Sequence, residues 1–555
     1  MIEYICKYTP VEILKGFGVE PMSWNCSVDN LDQADKIIHR NICAFSRALI
    51  EHRVREPENV LILTNCCDSI RRVRDVLASR GQTVFILDLP HRDDQCSRRL
   101  YKKELLRFID EFSAYSGRKF DLTCFKAACG KLPLPISGPT VALLGARINN
   151  RLLDRIQKLS PLPVINLTCT GNRRIGIAPQ TDDIEKLMDW YASELLSQIP
   201  CMRMTEIASR QELINDPNIC GIIYNTISFC DYYGFEYKML REKFSLPMLK
   251  IETDYTGQGD AQLENRMSAF FENLNVLSKR NTCSYPKNEN YSKKFYIAGI
   301  DSGSTSTEAV ILDSEHNIVS SAVVPTGVSV PDSAKKAFKV ALQKVSLSEE
   351  RIVRTVSTGY GRTAVTFGNR DITEITCHGK GAYFLNPAIR TVIDMGGQDS
   401  KIIRLNSDGS VKDFAMNDKC AAGTGRFLEM MAQSLGITLE EISLCGLKWD
   451  EEITISSMCS VFAQSEVVSL IASGKKLPDI VHGLNVSVAS KVIALGGRTG
   501  AEPGYMMTGG VAKNIGVVRA IEEKLGVTIY VPKEPEICGA LGAALIAMED
   551  IMNES

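Results

Sequence analysis

The chain has 555 residues, and its 64 basic and 66 acidic side chains leave a formal net charge of -2 at pH 7. This length predicts two to four globular domains, and the balanced charge gives no electrostatic reason to expect binding to nucleic acid or an anionic membrane. The N-terminus lacks a basic segment followed by an apolar core, and no run of 18 apolar residues occurs, so we expect a cytoplasmic protein without a membrane segment.

Short apolar runs alternate with helix-like stretches through the first half of the chain. The runs are NVLILTN (59–65), QTVFILDLP (82–90), TVALLGA (140–146), PVINLTC (163–169) and ICGIIYNTIS (219–228). This alternation predicts an α/β fold with mainly parallel sheets, in two Rossmann- or flavodoxin-like lobes that divide near residue 138. Because open α/β sheets bind ligands at the carboxyl ends of their strands, we expect Cys66, Cys67 and Cys169 to lie near one crevice.

The eighteen cysteines are distributed unevenly, with thirteen before residue 290 and five after it. In a reducing compartment the alternatives to disulfides are buried inert thiols, metal or cluster ligands and redox nucleophiles. The two halves are therefore expected to use sulfur differently. In the second half, Cys420 in NDKCAAGTGRF and Cys459 in SSMCSVFAQSE each stand alone, outside any CxxC pair.

A polar, basic stretch interrupted by Pro286 predicts a linker at 281–294, between domains at 1–280 and 295–555. After the linker, a strand, an Asp-x-Gly turn and a second strand occur twice, in FYIAGIDSGSTSTEAVILD (295–313) and RTVIDMGGQDSKIIRLNSDG (390–409). Two copies predict a domain built from two similar halves.

These turns suit the phosphates of ATP and their Mg²⁺. An acid at a strand end can organise the cation, and glycine lets backbone N–H groups approach phosphate oxygens. Asp301 and Asp394 are the predicted acids, and Gln398 is a third predicted catalytic side chain. With a glycine pair in YMMTGGVAKNIG that would line an adenosine pocket, the predicted nucleotide-binding residues are Ser302, Gly303, Ser304, Thr305, Gly396, Gly397, Asp399, Gly509 and Gly510. No GxxxxGK[ST] or HExxH motif occurs, which argues against a P-loop NTPase and a zinc hydrolase.

Residues 295–550 resemble the ATPase activators of 2-hydroxyacyl-CoA dehydratases and benzoyl-CoA reductases, which have the actin-like fold of acetate kinase, sugar kinases, Hsp70 and actin. GIDSGSTSTEAVILD, STGYGR, ITEITCHGKGA, VIDMGGQDSKII, NDKCAAGTGRFLE, SMCSVFAQSEV and MTGGVAKN carry the resemblance. It implies a homodimer that holds one [4Fe-4S] cluster at its interface through two cysteines of each subunit, matched here by Cys420 and Cys459. It also implies that ATP drives a low-potential electron onto a partner protein.

Residues 8–276 resemble the dehydratase component that such activators reduce, a family that includes benzoyl-CoA reductase subunits and double-cubane cluster proteins. The motifs are YTPVEILKGFGVEPM, NICAFSRALIE, LTNCCDSIRRV, LTCTGNRR, SFCDYYGFE and LPMLKIETDYTGQGDAQLENRMSAFFENL. The resemblance implies an iron–sulfur cluster ligated by Cys43, Cys67 and Cys230. Further thiols leave open a single or a double cubane: Cys66, Cys124, Cys129 and Cys169.

The resulting prediction is a fusion of an ATP-dependent electron donor with an iron–sulfur acceptor related to 2-hydroxyacyl-CoA dehydratases. Expected partners are a second copy of the chain, an electron donor such as ferredoxin or flavodoxin, and a dehydratase or reductase subunit. Three alternatives stay open: a double-cubane reductase of small molecules, an actin-fold small-molecule kinase, and a non-catalytic module that receives clusters.

Overall fold

The computed structural model describes residues 1–132, 136–199, 201–204, 215–244, 246–256, 260–280, 295–417, 421, 423–455 and 460–554. The chain divides into two compact units, Met1–Leu274 and Asn275–Ser555. The predicted linker at 281–294 lies outside the described residues.

The first sheet of the N-terminal unit is wholly parallel. It contains β1 (Ile2–Tyr4), β2 (Met22–Ser23), β3 (Val60–Thr64) and β4 (Val84–Leu87). The strand order is β2-β1-β3-β4. All five residues of β3, in the sequence VLILT, are buried, which is typical of a parallel strand covered on both faces.

The second sheet repeats this arrangement with β5 (Thr140–Gly145), β6 (Val164–Asn166), β7 (Ile219–Ile227) and β8 (Met248–Thr253). Its order is β6-β5-β7-β8, again with every pair parallel. Each sheet therefore changes direction between its first and third strands. Doubly wound sheets bind ligands at that position, beyond the carboxyl ends of the strands.

Helices connect these parallel strands, and several begin at a capping side chain. Asp94, Asn149 and Asp183 each accept hydrogen bonds from backbone N–H groups of the first helical turn. The helices of the N-terminal unit are Val11–Gly16, Ala34–Ile37, Ala44–Arg55, Asp68–Ser79, Gln95–Ser116, Leu122–Ala128, Asn150–Leu159, Ile184–Leu196, Asp231–Lys243 and Asp260–Arg280.

The C-terminal unit contains two five-stranded sheets of the same topology. The first has β9 (Tyr296–Ser302), β10 (Ser306–Asp313), β11 (Ile318–Pro325), β12 (Ile352–Thr358) and β13 (Arg370–Asp371), in the order β11-β10-β9-β12-β13. The second has β14 (Thr391–Met395), β15 (Ser400–Leu405), β16 (Val411–Asn417), β17 (Tyr505–Thr508) and β18 (Ile529–Tyr530), in the order β16-β15-β14-β17-β18. The predicted duplication and the predicted fold class are confirmed.

The helices of this unit are Val330–Lys344, Glu374–Leu385, Gly425–Leu435, Leu439–Cys445, Ser460–Ala472, Leu477–Thr499, Ile515–Leu525 and Cys538–Glu554. Short 3₁₀ helices occupy Glu349–Arg351, Arg362–Ala364, Gly510–Lys513 and Pro535–Ile537. Within the described chain, Leu477–Gly497 is long and apolar enough to cross a membrane. Ile480, Val481 and Leu484 of that helix are fully buried in the hydrophobic core of the second half, as in a core helix.

Candidate functional site

Each sheet of the C-terminal unit has a short turn after its first strand. Residues 303–305 connect β9 to β10, and residues 396–399 connect β14 to β15. Both turns join antiparallel strands, so the acids that precede them, Asp301 and Asp394, lie at equivalent places in the two halves. Within the second turn, Gln398 is exposed. Ser304 and Thr305 are exposed in the first turn, as donors for an incoming ligand should be.

One imidazole lies between the two aspartates. His378, on the helix Glu374–Leu385, places Nε2 3.6 Å from Asp301 Oδ2 and Nδ1 3.5 Å from Asp394 Oδ1. All three side chains are buried. Burial opposes charge on the imidazole, but the carboxylates of Asp394 and Asp301 outweigh it and raise the pKa of His378 well above its usual value. The structure therefore brings the two Asp-x-Gly motifs into one site.

A buried lysine neutralises the second aspartate. Lys401 Nζ lies 3.3 Å from Asp394 Oδ2, 2.8 Å from Asp399 Oδ2 and 3.4 Å from Glu374 Oε2. Burial alone would lower the pKa of Lys401, but these carboxylates raise it well above its ordinary value. Burial likewise opposes ionisation of Asp394, yet His378 and Lys401 hold the pKa of that carboxyl below its usual range. The pKa of Glu374 is raised to about 7, chiefly by burial.

A second buried carboxyl faces Asp301. Glu308 on β10 is the cross-strand partner of Asp301, and the two residues are 5% and 6% exposed. Burial, followed by the neighbouring Asp301 carboxylate, raises the pKa of Glu308 well above its usual value, while the side chain of Ser306 hydrogen-bonds to it. Like charges directly opposite each other destabilise a sheet, so packing does not explain this pair.

Two glycines are required by close approach to the site. A Cβ at Gly539 would lie only 1.9 Å from Asp301 Oδ2. Gly509, with a φ of 81°, would place a Cβ 2.4 Å from the carbonyl oxygen of Met395. Gly509 and Gly510 thus follow β17 beside the second aspartate, where the sequence predicts the adenosine side of the pocket.

The turn at 396–399 is hydrogen-bonded to the residues that follow Cys420. The N–H groups of Gly425 and Arg426 donate to the carbonyls of Gly396 and Gly397 at 2.9 and 2.8 Å. Gly425 and Arg426 are the first two residues of the helix that follows the small-residue sequence AAGT. The N–H groups at the start of a helix have no acceptor within the helix itself. The turn and the start of this helix are therefore directly connected by backbone hydrogen bonds. Cys420 and Cys459 themselves lie outside the described residues.

In the N-terminal unit, the three cysteines predicted as cluster ligands share one local position. Cys43, Cys67 and Cys230 are each the N-cap of a helix, respectively Ala44–Arg55, Asp68–Ser79 and Asp231–Lys243. Cys67 follows β3, and Cys230 follows β7. The positive end of a helix stabilises a thiolate or an anionic group bound to it. The N-termini of three helices therefore lie at cysteine sulfur atoms.

These thiols also contact one another. The Cys230 thiol hydrogen-bonds to Cys43 and is the main cause that lowers the pKa of Cys43 to about 7. The pKa of Cys230 is raised, chiefly by the same contact. Cys66 and Cys67 form a second hydrogen-bonded pair, which lowers the pKa of Cys67 and raises that of Cys66. Cys43 also interacts electrostatically with Cys67, so the two pairs belong to one group of thiols.

Three further thiols adjoin this group. Cys169 interacts electrostatically with Cys230, and its pKa is raised to about 11 chiefly by burial. Cys6 and Cys201 interact with each other and with Cys66 and Cys169. Cys124 and Cys129 belong elsewhere. Cys124 is exposed on the helix Leu122–Ala128. Cys129 ends that helix, and its pKa is raised to about 12 by burial and influenced by the charges of Glu12, Arg173 and Glu194 rather than by another thiol.

Sequence reasoning missed several residues of both sites. Glu308 and Lys401 lie seven positions after the aspartate of each repeat, so aligning the two repeats would have found them. His378 stands in the quoted segment ITEITCHGKGA, but nothing local shows that its ring reaches both aspartates. Cys6 and Cys201 carry no motif, and only tertiary structure brings them to the other thiols.

The residues present fit an iron–sulfur cluster and Mg²⁺. An iron–sulfur cluster is ligated by several thiolates, each bound to a different iron atom. The thiols of the N-terminal unit come from several elements and could supply these ligands. Buried carboxylates beside glycine turns suit Mg²⁺ and phosphate. Among the described residues, a group spaced to ligate a single ion is Glu3, His52 and Glu56, but the Arg53 guanidinium lies 3.5 Å from Glu3 and repels a cation there.

Two protein families match different parts of the chain. The model of the BadF/BadG/BcrA/BcrD ATPase family matches residues 298–547, and that of the 2-hydroxyglutaryl-CoA dehydratase D-component matches 6–132 and 136–274. The activator of lactoyl-CoA dehydratase from Anaerotignum propionicum is 49% identical over 257 residues, which are 46% of this chain and 98% of that relative. The (R)-2-hydroxyglutaryl-CoA dehydratase activating ATPase from Acidaminococcus fermentans is 43% identical over 45% of this chain and 96% of its own length.

A solved structure also matches, that of the activator of the 2-hydroxyisocaproyl-CoA dehydratase from Clostridium difficile with bound ADPNP. It is 41% identical, with a TM-score of 0.45, and the match covers 47% of this chain and 96% of that one. On the family models and the 49% identical relative, the chain belongs to the BadF/BadG/BcrA/BcrD ATPase family through its second half, fused to a first half of the 2-hydroxyglutaryl-CoA dehydratase D-component type.

Proposed function

We propose that this cytoplasmic protein uses ATP to drive low-potential electron transfer to an iron–sulfur centre in its own N-terminal unit. Cys420 and Cys459 of two copies would hold a [4Fe-4S] cluster between the subunits, and Cys43, Cys67 and Cys230 would hold the acceptor. Ferredoxin or flavodoxin would supply electrons. The bound clusters would supply one-electron chemistry at low potential, as in the activation of a 2-hydroxyacyl-CoA dehydratase.

The observation that carries this proposal is the pair of hydrogen bonds from Gly425 and Arg426 to the turn at 396–399. ATP can drive a change only where its affinity differs between two conformations. A ligand that moves this turn also moves the helix Gly425–Leu435, five residues after Cys420. Nucleotide state is therefore coupled to the cysteine that would hold the shared cluster.

Exposed apolar side chains support a dimer near the second cysteine. On the helix Ser460–Ala472, Phe462, Val468 and Ile471 are 68%, 53% and 45% exposed. Val468 and Ile471 are three positions apart and share one face of the helix, and neighbouring exposed apolar side chains of this kind are typical of protein interfaces. The helix begins directly after Cys459, so a second copy packed on it would bring the two pairs of cysteines together.

A double cubane in the N-terminal unit is the second candidate. It is favoured by the four thiols of Cys6, Cys66, Cys169 and Cys201, which interact with one another beside the first three. Such a chain would be an ATP-dependent reductase of small molecules. A single cubane would instead suit a dehydratase that works with a separate partner subunit.

Iron and sulfide analysis of the anaerobically purified full-length protein tests these assignments. The Cys420→Ala/Cys459→Ala variant should lose about two iron atoms per chain, one shared cubane per dimer, and keep about four or about eight in the N-terminal unit. Cys445→Ala, a control at a half-buried thiol, should lose none. Iron-free wild-type protein after reconstitution would refute the electron-transfer proposal and favour the small-molecule kinase. ATP hydrolysis without reduction of the retained N-terminal iron would favour a module that only receives clusters.

A further inference from the structure

The duplicated halves of the C-terminal unit differ at one equivalent position. In each half the residue seven places after the Asp-x-Gly aspartate is its cross-strand partner. Glu308 pairs with Asp301 across β9 and β10, and Lys401 pairs with Asp394 across β14 and β15. The first half therefore places acid opposite acid, whereas the second half places acid opposite base.

The second half needs no cation from outside the protein. Asp394 accepts a hydrogen bond from Thr508 Oγ1 at 2.9 Å and lies 3.3 Å from Lys401 Nζ. The lysine also reaches the carboxylates of Asp399 and Glu374. These groups are buried or nearly so, and they form a network in which negative and positive groups are already in contact.

The first half has an excess of acid. Glu308 is 5% exposed and has Asp301 and Glu536 as acidic neighbours. Glu536 is paired with Lys513, so that lysine is already engaged. Asp301 has the imidazole of His378 at 3.6 Å, and that single group is shared with Asp394 of the second half. Among the residues that the structure describes, these two buried carboxyl groups thus have His378 as a basic neighbour, and they share it with Asp394.

The imidazole between the two aspartates is incompletely hydrogen-bonded. His378 is 5% exposed, and its Nδ1 lies 3.5 Å from Asp394 Oδ1 but makes no hydrogen bond in the described structure. The ring lies between the two aspartates, beside the glycine approach at Gly539, where a Cβ would lie 2.9 Å from His378 Nε2. This buried but incompletely satisfied arrangement indicates a place for a ligand, because buried polar atoms are normally hydrogen-bonded.

We propose that Asp301 and Glu308 together hold the divalent cation of the nucleotide, and that Asp394, neutralised by Lys401, contributes little to holding it. This inference rests on the proposed binding of ATP. Two carboxylates on one side of the phosphates supply the oxygen ligands, direct or through water, that Mg²⁺ prefers. The first half would therefore bind the cation, and the glycine turn of the second half would bind phosphate.

The test measures how ADP binding to the full-length protein depends on Mg²⁺. Calorimetric titrations at fixed ADP and increasing MgCl₂ give the Mg²⁺ concentration for half-maximal binding, and titrations in EDTA give affinity without the metal. For Glu308→Gln we expect a rise of about tenfold or more in that Mg²⁺ concentration, with ADP affinity in EDTA unchanged or higher. Glu308→Asp, which keeps the charge, should fall between that variant and wild type.

Asp394→Asn is the control in the other half, because it removes the buried acid that is equivalent to Asp301. Its Mg²⁺ requirement should rise by less than about threefold. An effect of Asp394→Asn equal to or larger than that of Glu308→Gln would overturn the inference. A thermal melt provides a readout independent of ADP: without metal, Glu308→Gln should raise Tm, because it removes one of two facing acids. Wild-type protein that binds no ADP under any condition would instead refute the proposed nucleotide function and the inference with it.

Discussion

The two units of this chain provide for charge at their sites in different ways. In the C-terminal unit, ionisable side chains already face each other, as Lys401 and Asp394 do, and the network exists before any ligand arrives. In the N-terminal unit, sulfur atoms lie at the N-termini of three helices, and backbone dipoles rather than side-chain cations face them. In the C-terminal unit, removing one charged side chain should lower the free energy of unfolding, because its partners stay buried. In the N-terminal unit, removing the thiols should instead lower the iron content.

The largest effect is expected from removing the thiols at the helix ends. In the Cys420→Ala/Cys459→Ala background, replacing Cys43, Cys67 and Cys230 by Ser should abolish the remaining iron, because all three predicted ligands are lost. Iron and sulfide analysis after anaerobic reconstitution measures this. Cys124→Ser/Cys129→Ser is the control, since Cys124 is exposed and no other thiol influences the pKa of Cys129. Full iron retention by the triple variant would show that the other thiols hold the cluster.

The next effect concerns the charge network. Lys401→Met leaves Asp394, Asp399 and Glu374 without their shared cation, so it should destabilise the C-terminal unit by about 3–5 kcal/mol. Urea unfolding, followed on the transition that ADP and Mg²⁺ shift, measures the change. Lys412→Met is the control: Lys412 is half-exposed, 3.4 Å from Glu502, and its loss should cost less than about 1 kcal/mol. Equal losses in the two variants would contradict the interpretation of the buried network.

The smallest effect tests the pairing of thiols by pH. In the metal-free protein, the pKa of Cys43 is lowered to about 7, first by the thiol of Cys230. Because the thiolate is the reactive form, alkylation of Cys43 by iodoacetamide should rise through pH 7. Cys230→Ala removes the stabilising donor, so the midpoint should move upward and the rate at pH 7 should fall about tenfold. Peptide mass spectrometry measures the rate, and an unchanged midpoint would contradict the hydrogen-bonded pair.

Short sequence patterns predicted the structural features that depend on adjacent residues. The strand VLILT and the Asp-x-Gly turns were predictable because buried runs and glycine-bearing strand ends are encoded in a few adjacent residues. The repeat predicted two similar halves, and the two sheets of the C-terminal unit share one strand order. The bridge of His378 between Asp301 and Asp394 was not predictable, because it depends on how a helix packs against two sheets.

The arrangement of the thiols was also only partly predictable from the sequence. Cys43, Cys67 and Cys230 were identified from the family resemblance of their surroundings, and their shared position at helix N-termini became visible only in three dimensions. Cys6 and Cys201 lie in segments without any motif. Cys6 comes close to Cys66 because the strands they follow, β1 and β3, are adjacent in one parallel sheet, whereas Cys201 reaches them from the segment after the helix Ile184–Leu196. No short stretch of sequence specifies either arrangement.

Cys43, Cys67 and Cys230 occupy N-cap positions, and backbone N–H groups of the helices that follow, among them those of Ser46, Ile70 and Tyr233, face their sulfur atoms and favour the thiolate form. These donors belong to the polypeptide and not to any bound group. If the proposed cluster were lost to oxygen, the same N–H groups would still face the thiols. We therefore expect iron and sulfide to be taken up again without refolding of the three helix starts.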